Sequence, residues 1–312
     1  MLDSASKTFF HLVAQSSTLK KLASRYGMRH STSFARRFIA GETVGEAIEA
    51  AKAIQARGLM LTLDLLGESV TNLDEAAAAT RHYLAVIDAV IASGIERNIS
   101  LKLTQLGLDV DKASAIDNLR RILQRAEPAG FFVRIDMENS PYTEVTLEIF
   151  NTVWQQGHRQ IGTVLQSALH RSERDLQQLN ALGARVRLVK GAYKEPKSIA
   201  YARKADVDAA YARMLKTLLT DGTYPAIATH DPAMITLARD FARERGLPPD
   251  RFEFQMLYGI RRDLQTRLLN DGYRMRVYVP FGRQWFPYFM RRLGERPANV
   301  MFVLRGITSE SG

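Results

Sequence analysis

The sequence predicts an α/β fold, a (β/α)8 TIM-type barrel with extra N-terminal helices and a C-terminal helix over the face where the strands end. Three observations carry this prediction. Eight short apolar runs rich in β-branched residues recur along the chain, amphipathic helical patterns separate them, and composition does not change abruptly. Eight such alternating units favour a closed parallel sheet surrounded by helices. A doubly wound open sheet is the alternative.

The apolar runs are four to seven residues long and are bounded by turn residues, as is typical of buried strands. The predicted strands are Leu59–Leu65, Ile99–Leu103, Phe131–Met137, Ile161–Gln166, Val186–Lys190, Ala226–Thr229, Phe252–Met256 and Met275–Val279.

Between the strands, apolar residues recur at i, i+3, i+4 and i+7, the spacing of one helix face. This spacing predicts helices over Leu73–Ser93, Asp111–Ala126 and Ile199–Leu219, and a last helix that starts near Gln284. Short polar side chains that accept backbone N–H groups favour helix starts, which makes Asn72, Ser172 and Asp231 the expected N-caps.

The composition suits one large core, with 46% hydrophobic and 24% charged residues in 312. No apolar stretch reaches the length of a membrane-spanning helix. The absence of cysteine excludes disulfides, thiolate metal sites, iron–sulfur clusters and a cysteine nucleophile, and fits a cytoplasmic location. We expect residues 1–42 to be a helical segment packed on the barrel, and residues 43–312 to be the catalytic barrel.

The net charge of +10 raises the question of an anionic partner. Residues 1–40 contain seven lysines and arginines against one acid, Asp3, which accounts for +6 of the total. No nucleic-acid-binding motif accompanies this charge, so we expect no nucleic-acid partner. Peripheral contact with anionic lipid at the inner face of the membrane is the favoured alternative.

Polar and charged side chains end the predicted strands. In a parallel barrel the carboxyl ends of all strands meet at one face, where the chemistry of such folds is found. We therefore predict a site built around Asp64, Lys102, Asp136, Gln166, Lys190, His230, Gln255 and Tyr278.

Two lysines within this set have competing interpretations. A buried ammonium needs a partner, so Lys102 is either a site residue or half of an ion pair with Asp136 or Asp64. Lys190, in RLVKGAY, forms an ion pair at the rim, contacts a ligand, or serves as a Schiff-base lysine. Strand alternation places Lys190 opposite to Arg187.

The carboxylates raise the question of a metal. Asp136 and Glu138 would need a third ligand, and His230 with Asp231 does not complete a recognised ligand set, so no metal is expected. Asp231 and Pro232 instead predict a helix N-terminus at the rim, an arrangement that binds phosphate groups. Capping of the loop by His230 is an equal alternative.

The last predicted helix carries Tyr288, Arg291 and Arg292 within one turn. Adjacent arginines beside a tyrosine suit a bidentate grip on a carboxylate. A solvated basic face is the alternative, but the flanking Trp285 and Phe289 indicate that the helix is covered.

Taken together, these segments resemble proline dehydrogenase in its short, single-function bacterial form. The resemblance runs from about Leu59 to Leu304 and rests, in order, on DLLGES, LKLTQLG, RIDME, RLVKGAY, ATHD, FEFQMLYG, YVPFG and YFMRRLGERPAN. It implies an FAD-binding barrel that transfers a hydride from C5 of L-proline to the flavin N5, giving Δ1-pyrroline-5-carboxylate. It also implies a membrane quinone as electron acceptor and coupling to a pyrroline-5-carboxylate dehydrogenase.

The resemblance assigns roles by position. Lys102, Arg291 and Arg292 would hold the proline carboxylate, and Glu68, with Asp64 at the start of the same string, would pair with Arg291 as a gate. The wall around the ring would be Tyr278, Tyr288, Leu257, Ala192 and Tyr193. The FAD contacts would be Asp136, Met137, Gln166, Arg187, Lys190, Gly191, Ala192, Thr229, His230 and Glu295, with Asp136 and Arg187 as catalytic residues.

Two positions depart from the family pattern. Ala168 stands where an aromatic residue is frequent, and Asp231 stands where asparagine is common. A carboxylate near a pyrophosphate is mildly unfavourable, so an altered FAD affinity is expected. A Schiff-base lyase that uses Lys190 or Lys102 and a basic, non-enzymatic binding protein remain the alternative functions. The chain has no GxGxxG turn, so redox chemistry would need a cofactor bound in another way.

Overall fold

The computed structural model describes residues 34–295, and residues 1–33 and 296–312 lie outside this range. Eight parallel strands form its centre: β1 (Met60–Leu65), β2 (Asn98–Leu101), β3 (Phe132–Ile135), β4 (Ile161–Gln166), β5 (Arg185–Val189), β6 (Ala226–Ala228), β7 (Glu253–Leu257) and β8 (Arg274–Phe281).

The strands follow one another around the barrel in sequence order, and β8 pairs with β1 from Met60↔Arg276 to Leu65↔Phe281. This last pairing closes the sheet, which confirms the predicted barrel. The doubly wound alternative is wrong, because an open sheet leaves two edge strands unpaired.

The α-helices are α1 (Val44–Gln55), α2 (Leu73–Ser93), α3 (Lys112–Ala126), α4 (Thr143–Gln155), α5 (Ser172–Ala181), α6 (Lys204–Asp221), α7 (Pro232–Glu244), α8 (Arg262–Asn270) and α9 (Trp285–Glu295). Helix α1 precedes the first strand, and helices α2–α9 each follow one of the eight strands.

Local capping explains why α2 has the bounds that the sequence predicts. The Asn72 side chain accepts a hydrogen bond from the backbone N–H of Glu75 at 2.9 Å, which satisfies one of the free donors of the first turn. At the other end Gly94 adopts a φ of 72°, a left-handed conformation that glycine takes without a steric penalty.

Two predicted helix starts are wrong. Ser172 is the first residue of α5 and its hydroxyl donates to a β4 carbonyl, so it does not cap the helix. The helix predicted from Ile199 begins at Lys204 instead. Its first residues are held elsewhere, because Ala200 forms an antiparallel bridge with Leu169 in the loop after β4. A tertiary contact here overrides the helical spacing.

The buried apolar residues form two separate clusters. The larger one fills the barrel and the layer between strands and helices. The smaller one, which we call the strap cluster, joins three segments that lie outside that core. Its members are Ala35, Phe38 and Ile39 from the N-terminal segment, Leu66 from the loop after β1, and Trp285, Phe286, Tyr288, Phe289, Met290 and Leu293 from α9.

The predicted N-terminal segment lies mostly outside the described residues, so the boundary at residue 42 stays a prediction. The part that is described begins with a short 3-10 helix, Phe34–Arg37, and then contacts α9: Trp285 Nε1 donates to Glu42 Oε1 at 2.9 Å. Within residues 34–295, no helix combines the length and the apolar character needed to cross a membrane.

Candidate active site

A cavity of about 570 Å³ opens at the carboxyl ends of the strands, the face predicted to hold the site. Its wall contains most of the residues that the sequence singled out. These are Lys102, Asp136, Met137, Gln166, Arg187, Lys190, Gly191, Ala192, Tyr193, Thr229, His230, Leu257, Tyr278, Tyr288, Arg291 and Arg292.

The sequence interpretation missed four apolar strand residues of the wall, namely Val164, Val189, Ala228 and Met256, whereas Asp231 and Pro232 line it at the predicted rim. Strand residues that face inward are apolar whether they pack in the core or line a cavity, so no sequence signal separates the two cases. Gln255 also lines the cavity, as its position at a strand end predicted.

Lys102 is buried between two carboxylates. Its ammonium lies 3.2 Å from Asp64 Oδ1 and 3.9 Å from Asp136 Oδ2. Burial alone lowers the pKa of Lys102, but the two negative charges more than offset this effect and bring the pKa well above its usual value. The side chain therefore stays charged, which disfavours a Schiff-base role that needs a neutral amine.

Asp64 is not among the residues that line the cavity, and its contact with substrate stays a prediction. Its side chain is fully buried and lies behind Lys102. Burial raises the pKa of Asp64, and Lys102 opposes that shift. The carboxylate therefore contacts Lys102 from the side away from the cavity and holds its ammonium in place. Glu68 is likewise absent from the wall.

Arg187 is held at the centre of the cavity floor by three partners, one for each nitrogen. Nη1 donates to Asp136 Oδ1 at 2.6 Å, Nε to Gln255 at 2.6 Å, and Nη2 to the Ser100 hydroxyl at 3.1 Å. The second Asp136 oxygen accepts from the Tyr278 hydroxyl at 2.7 Å. Three fixed hydrogen bonds leave the guanidinium little rotational freedom.

Burial, and then the charge of Asp136, raise the pKa of Tyr278 well above its usual value. The phenol therefore remains protonated and keeps donating to the carboxylate. Its ring also faces the guanidinium of Arg187, whose central carbon lies 5.2 Å from the ring centroid. Asp136 thus couples a cationic and an aromatic side chain of the wall.

Lys190 points away from Arg187, as strand alternation predicts. Its ammonium forms ion pairs with Asp208 on α6 at 2.5 Å and with Asp231 at 2.6 Å. The rim ion pair considered for Lys190 is therefore present, and it lies beside the cavity. Gly191 follows with a φ of 114°, and a side chain there would meet Gln166 within 2.9 Å. The chain can make this turn only with glycine.

Helix α7 begins at the rim with its own cap. The Asp231 carboxylate accepts from the backbone N–H of Ala233 at 3.0 Å, and Pro232 occupies the first helical position. The Leu257 backbone N–H donates to Nε2 of His230 at 3.0 Å, which bridges two neighbouring strand ends. His230 therefore stabilises the loops, and its ring also lines the cavity.

Helix α9 brings its two arginines to the cavity. Arg291 Nη1 lies 2.8 Å from Glu68 Oε1, which is the pairing expected from the sequence. The Arg292 guanidinium lies over the Tyr288 ring at 5.0 Å. Trp285 and Phe289 are both 1% exposed, so the helix is covered. The alternative interpretation of α9 as a solvated basic face is therefore wrong. The side chain of Glu295, assigned to the cofactor, lies outside the described part of the chain.

The carboxylates that we weighed as metal ligands serve other partners. Glu138 accepts from the Thr104 hydroxyl at 2.7 Å, and burial raises its pKa. Asp136 is occupied by Arg187 and Tyr278. Among residues 34–295, no three acidic or histidine side chains converge on one point that could hold a metal ion.

The comparisons with known proteins point to one family. A family model described as proline dehydrogenase matches residues 47–305. Proline dehydrogenase 2 of Bacillus subtilis is 40% identical over 304 residues, which cover 97% of this chain and 99% of the relative. Proline dehydrogenase of Deinococcus radiodurans is 43% identical over 277 residues, or 88% and 89% of the two chains.

Larger proteins contain the same fold. The crystal structure of proline utilization A (PutA) from Bdellovibrio bacteriovorus, inactivated by N-propargylglycine, superposes with a TM-score of 0.81 at 25% identity. The match covers 93% of this chain and 37% of that one, so this chain spans about a third of the larger protein. With a matching family model over most of its length and relatives at this identity, the chain belongs to the proline dehydrogenase family.

Proposed function

We propose that the protein is an FAD-dependent proline dehydrogenase that oxidises L-proline to Δ1-pyrroline-5-carboxylate, the first step of proline catabolism, with a quinone as electron acceptor. One observation supports the proposal most directly: Lys102, which follows strand β2, and Arg291 and Arg292 of helix α9 line the same cavity, in a chain that belongs to this family. Three cations in the wall of one cavity suit a small carboxylate.

The substrate would lie between this cationic group and an aromatic wall. Proline is a small zwitterion, and its carboxylate would accept hydrogen bonds from the ammonium and the two guanidinium groups. Tyr278 and Tyr288 would pack on the pyrrolidine ring together with Leu257, Ala192 and Tyr193, all of which line the cavity. Burial raises the pKa of Tyr193 to about 12, so its hydroxyl remains neutral beside the substrate.

The remaining wall fits a flavin. A cavity of about 570 Å³ lies within the range of cofactor sites. Apolar side chains such as Met137 and Val164 alternate there with the polar groups of Gln166 and Thr229. An aromatic heterocycle with polar edges needs both kinds of contact. When bound, FAD would supply the acceptor for the hydride that leaves C5 of proline.

Arg187 and Asp136 would act beside the cofactor. Arg187 would keep a fixed positive charge against the flavin, because its own partners hold it in place. Asp136 would maintain the distance between that charge and the Tyr278 ring. Lys190, Gly191, Thr229, His230 and Glu295 would complete the cofactor contacts. The protein's contribution is orientation of the reacting carbon and exclusion of water.

The electron acceptor and the location belong to the same proposal. A membrane quinone requires access to a lipid surface, and the excess of positive charge in residues 1–40 would favour anionic lipid. We place the protein in the cytoplasm, peripheral to the inner face of the membrane. The product would pass to a pyrroline-5-carboxylate dehydrogenase, an arrangement that fits the similarity to Escherichia coli bifunctional protein PutA, 28% identical over 312 residues.

A visible spectrum tests the function. We expect the purified protein to be yellow and to bleach when L-proline is added without oxygen, with colour restored by a soluble quinone. A colourless protein that FAD cannot reconstitute would contradict the proposal. Covalent trapping of a carbonyl substrate by borohydride would instead support the lyase alternative, and salt-dependent binding to nucleic acid would support the basic binding protein.

A further inference from the structure

A column of polar side chains runs through the barrel interior beneath Arg187. Arg187 Nε donates to Gln255 Oε1 at 2.6 Å, and Gln255 Nε2 donates to Glu253 Oε1. Glu253 in turn accepts from Arg276 at 2.7 and 2.9 Å, and Arg276 reaches Glu96 at 2.6 Å. A continuous hydrogen-bonded chain therefore joins the cavity floor to the opposite end of the barrel.

Two strands supply the interior part of this column. Residues two apart on a strand point to the same face, which places Glu253 and Gln255 of β7 one above the other inside the barrel. Glu253, Gln255 and Arg276 are 2%, 4% and 4% exposed. Barrel interiors are usually filled by branched apolar side chains, so a charged column at this depth needs a reason beyond packing.

The column determines which way the Gln255 amide faces. The amide oxygen meets the Arg187 N–H, and the amide nitrogen meets the Glu253 carboxylate. If the amide were reversed, its NH₂ group would face the arginine and its oxygen would face the carboxylate, and both contacts would become repulsive. The negative charge of Glu253 is therefore what keeps an acceptor in front of Arg187.

Glu253 is ionised despite its burial. Burial raises the pKa of its carboxyl, but Arg276, the hydrogen bond from Gln255 and the more distant Arg134 more than offset this, so the pKa lies below the usual value. The charge that orients Gln255 is thus present throughout the neutral pH range.

We propose that Glu253 is a positioning residue for Arg187 and acts through the amide of Gln255. Arg187 is the group that the proposed function places against the flavin, and the inference rests on that function. Glu253 itself does not line the cavity, so it would affect the cofactor only by fixing the arginine.

Two variants test the positioning role of Glu253: one removes its charge, and the other moves that charge to position 255. In Glu253→Gln the Gln255 amide loses its fixed orientation, and the Arg187 charge is no longer held against the flavin. We expect a shifted flavin spectrum, a lower flavin midpoint potential, and a kcat reduced by about tenfold with the KM for proline within about threefold, the size typical of residues that orient a ligand. FAD content should stay near that of the wild type.

The double variant Glu253→Gln/Gln255→Glu moves the carboxylate two residues along the strand. The new carboxylate at position 255 would then accept from Arg187. The new amide at position 253 would donate to that carboxylate, while its oxygen faces Arg276. The kcat should return to within about threefold of the wild type, and the flavin spectrum should resemble that of the wild type more closely than that of Glu253→Gln. Ile227→Ala, which creates a cavity in the buried core on the neighbouring strand β6, is the control for a general loss of stability.

Each outcome decides the matter. An unchanged spectrum and kcat in Glu253→Gln, or effects equal to those of Ile227→Ala at the same melting temperature, overturn the inference. So does a double variant that is no better than the single one. If Glu253→Gln does not fold, Gln255→Met removes the acceptor at similar volume and should show the same spectral change.

A wild-type protein that binds no flavin would contradict the proposed function and leave the positioning role to be judged by crystallography. In that case the Arg187 side chain should still be displaced in the ligand-free Glu253→Gln crystal. An Arg187 in its original place there would overturn the inference.

Discussion

The Arg291 guanidinium donates to the Glu68 carboxylate across 2.8 Å, and this pair joins the last helix to the loop after β1. The two side chains are 20% and 31% exposed, so the pair lies at the mouth of the cavity and not in its depth. Burial lowers the pKa of Arg291, and the charge of Glu68 more than offsets this and raises it. The arginine is therefore oriented and charged before a substrate arrives.

Substitution of either arginine should weaken proline binding selectively. Each would make charge-assisted hydrogen bonds with the carboxylate, worth about 1.5–3 kcal/mol. Arg291→Met and Arg292→Met should therefore each raise the KM for proline by at least about tenfold. Steady-state kinetics and the flavin absorbance of the purified variants measure both effects. If both variants keep the wild-type KM, the carboxylate is bound elsewhere.

Lys102 and Arg187 should separate substrate contacts from cofactor contacts. Lys102→Met should behave like the two arginine variants, because the proposed function assigns its ammonium to the same carboxylate. Arg187→Met should instead shift the flavin spectrum and slow the reductive half-reaction, since it removes the charge that the proposed function places beside the cofactor. Stopped-flow reduction by proline distinguishes the two. Identical kinetic behaviour of both variants would show that the division of the cavity is wrong.

Loss of the buried charge behind Lys102 should reduce stability. Asp64→Asn leaves a buried ammonium without its nearest partner, and breaking a buried ion pair costs about 3–5 kcal/mol. We expect that loss in urea unfolding, together with a higher KM for proline because the lysine is less well oriented. Asp88→Asn removes the exposed pair with Arg125 and should cost at most about 1 kcal/mol. Equal stability losses in the two variants would argue against a role for burial.

The Glu46 carboxyl should make stability depend on pH in the acidic range. Burial raises its pKa, but hydrogen bonds from Arg36 and the backbone of Glu42 and Thr43 bring it to about 2, against an ordinary value of 4.5. Because the folded pKa is the lower one, the stabilisation is present above pH 4.5 and is lost as the pH falls from 4.5 towards 2.

The matched variants for this effect lie on the same helix. Since a third of the Glu46 side chain is exposed, solvent screening reduces the gain, and Glu46→Gln should cost about 1 kcal/mol at pH 7. The difference from wild type should vanish near pH 2. Glu49→Gln, which removes an exposed pair with Lys52, should have little effect at either pH. A Glu46→Gln deficit that is independent of pH would show that the charge is not its cause.

The basic N-terminal residues should bind lipid and not nucleic acid. Replacing Lys7, Lys20, Lys21, Arg25 and Arg29 by glutamine removes five charges and spares the strap cluster. Sedimentation with anionic vesicles should fall, since each charge near such a surface contributes about 1 kcal/mol. Micromolar binding of the wild type to duplex DNA at low salt, lost in this variant, would reverse the conclusion.

The barrel and most of the residues in its cavity wall could be predicted from the sequence, because polar side chains stand at the ends of otherwise apolar strands. Lys102 and Asp136 both stand at such positions, and the closed sheet brings them to the same face. Asp64 has the same sequence signature but lies behind Lys102. The depth of a side chain along the barrel axis depends on how neighbouring strands are staggered. The spacing of residues within a single strand carries no information about that stagger.

The sequence also contains a signal for the column beneath Arg187, one that strand-end residues alone do not reveal. Glu253 and Arg276 are charged residues inside strands whose other residues are mostly apolar, as in buried strands. Two opposite charges in neighbouring buried strands indicate a buried ion pair. The helix start at Lys204 is a different case. It depends on the bridge between Leu169 and Ala200, a contact between two loops that helical periodicity cannot reveal.

The strap cluster has a consequence for how the enzyme can diverge. Helix α9 shares its apolar contacts with the N-terminal segment and Leu66, and it lies outside the core that holds the barrel closed. Free-energy changes at sites without shared partners are close to additive. Substitutions around Phe38 and Phe289 should thus affect helix α9 and its two arginines with little effect on the barrel itself. Directed evolution of substrate preference should therefore begin at the members of this cluster that do not line the cavity, which leaves Tyr288 in place.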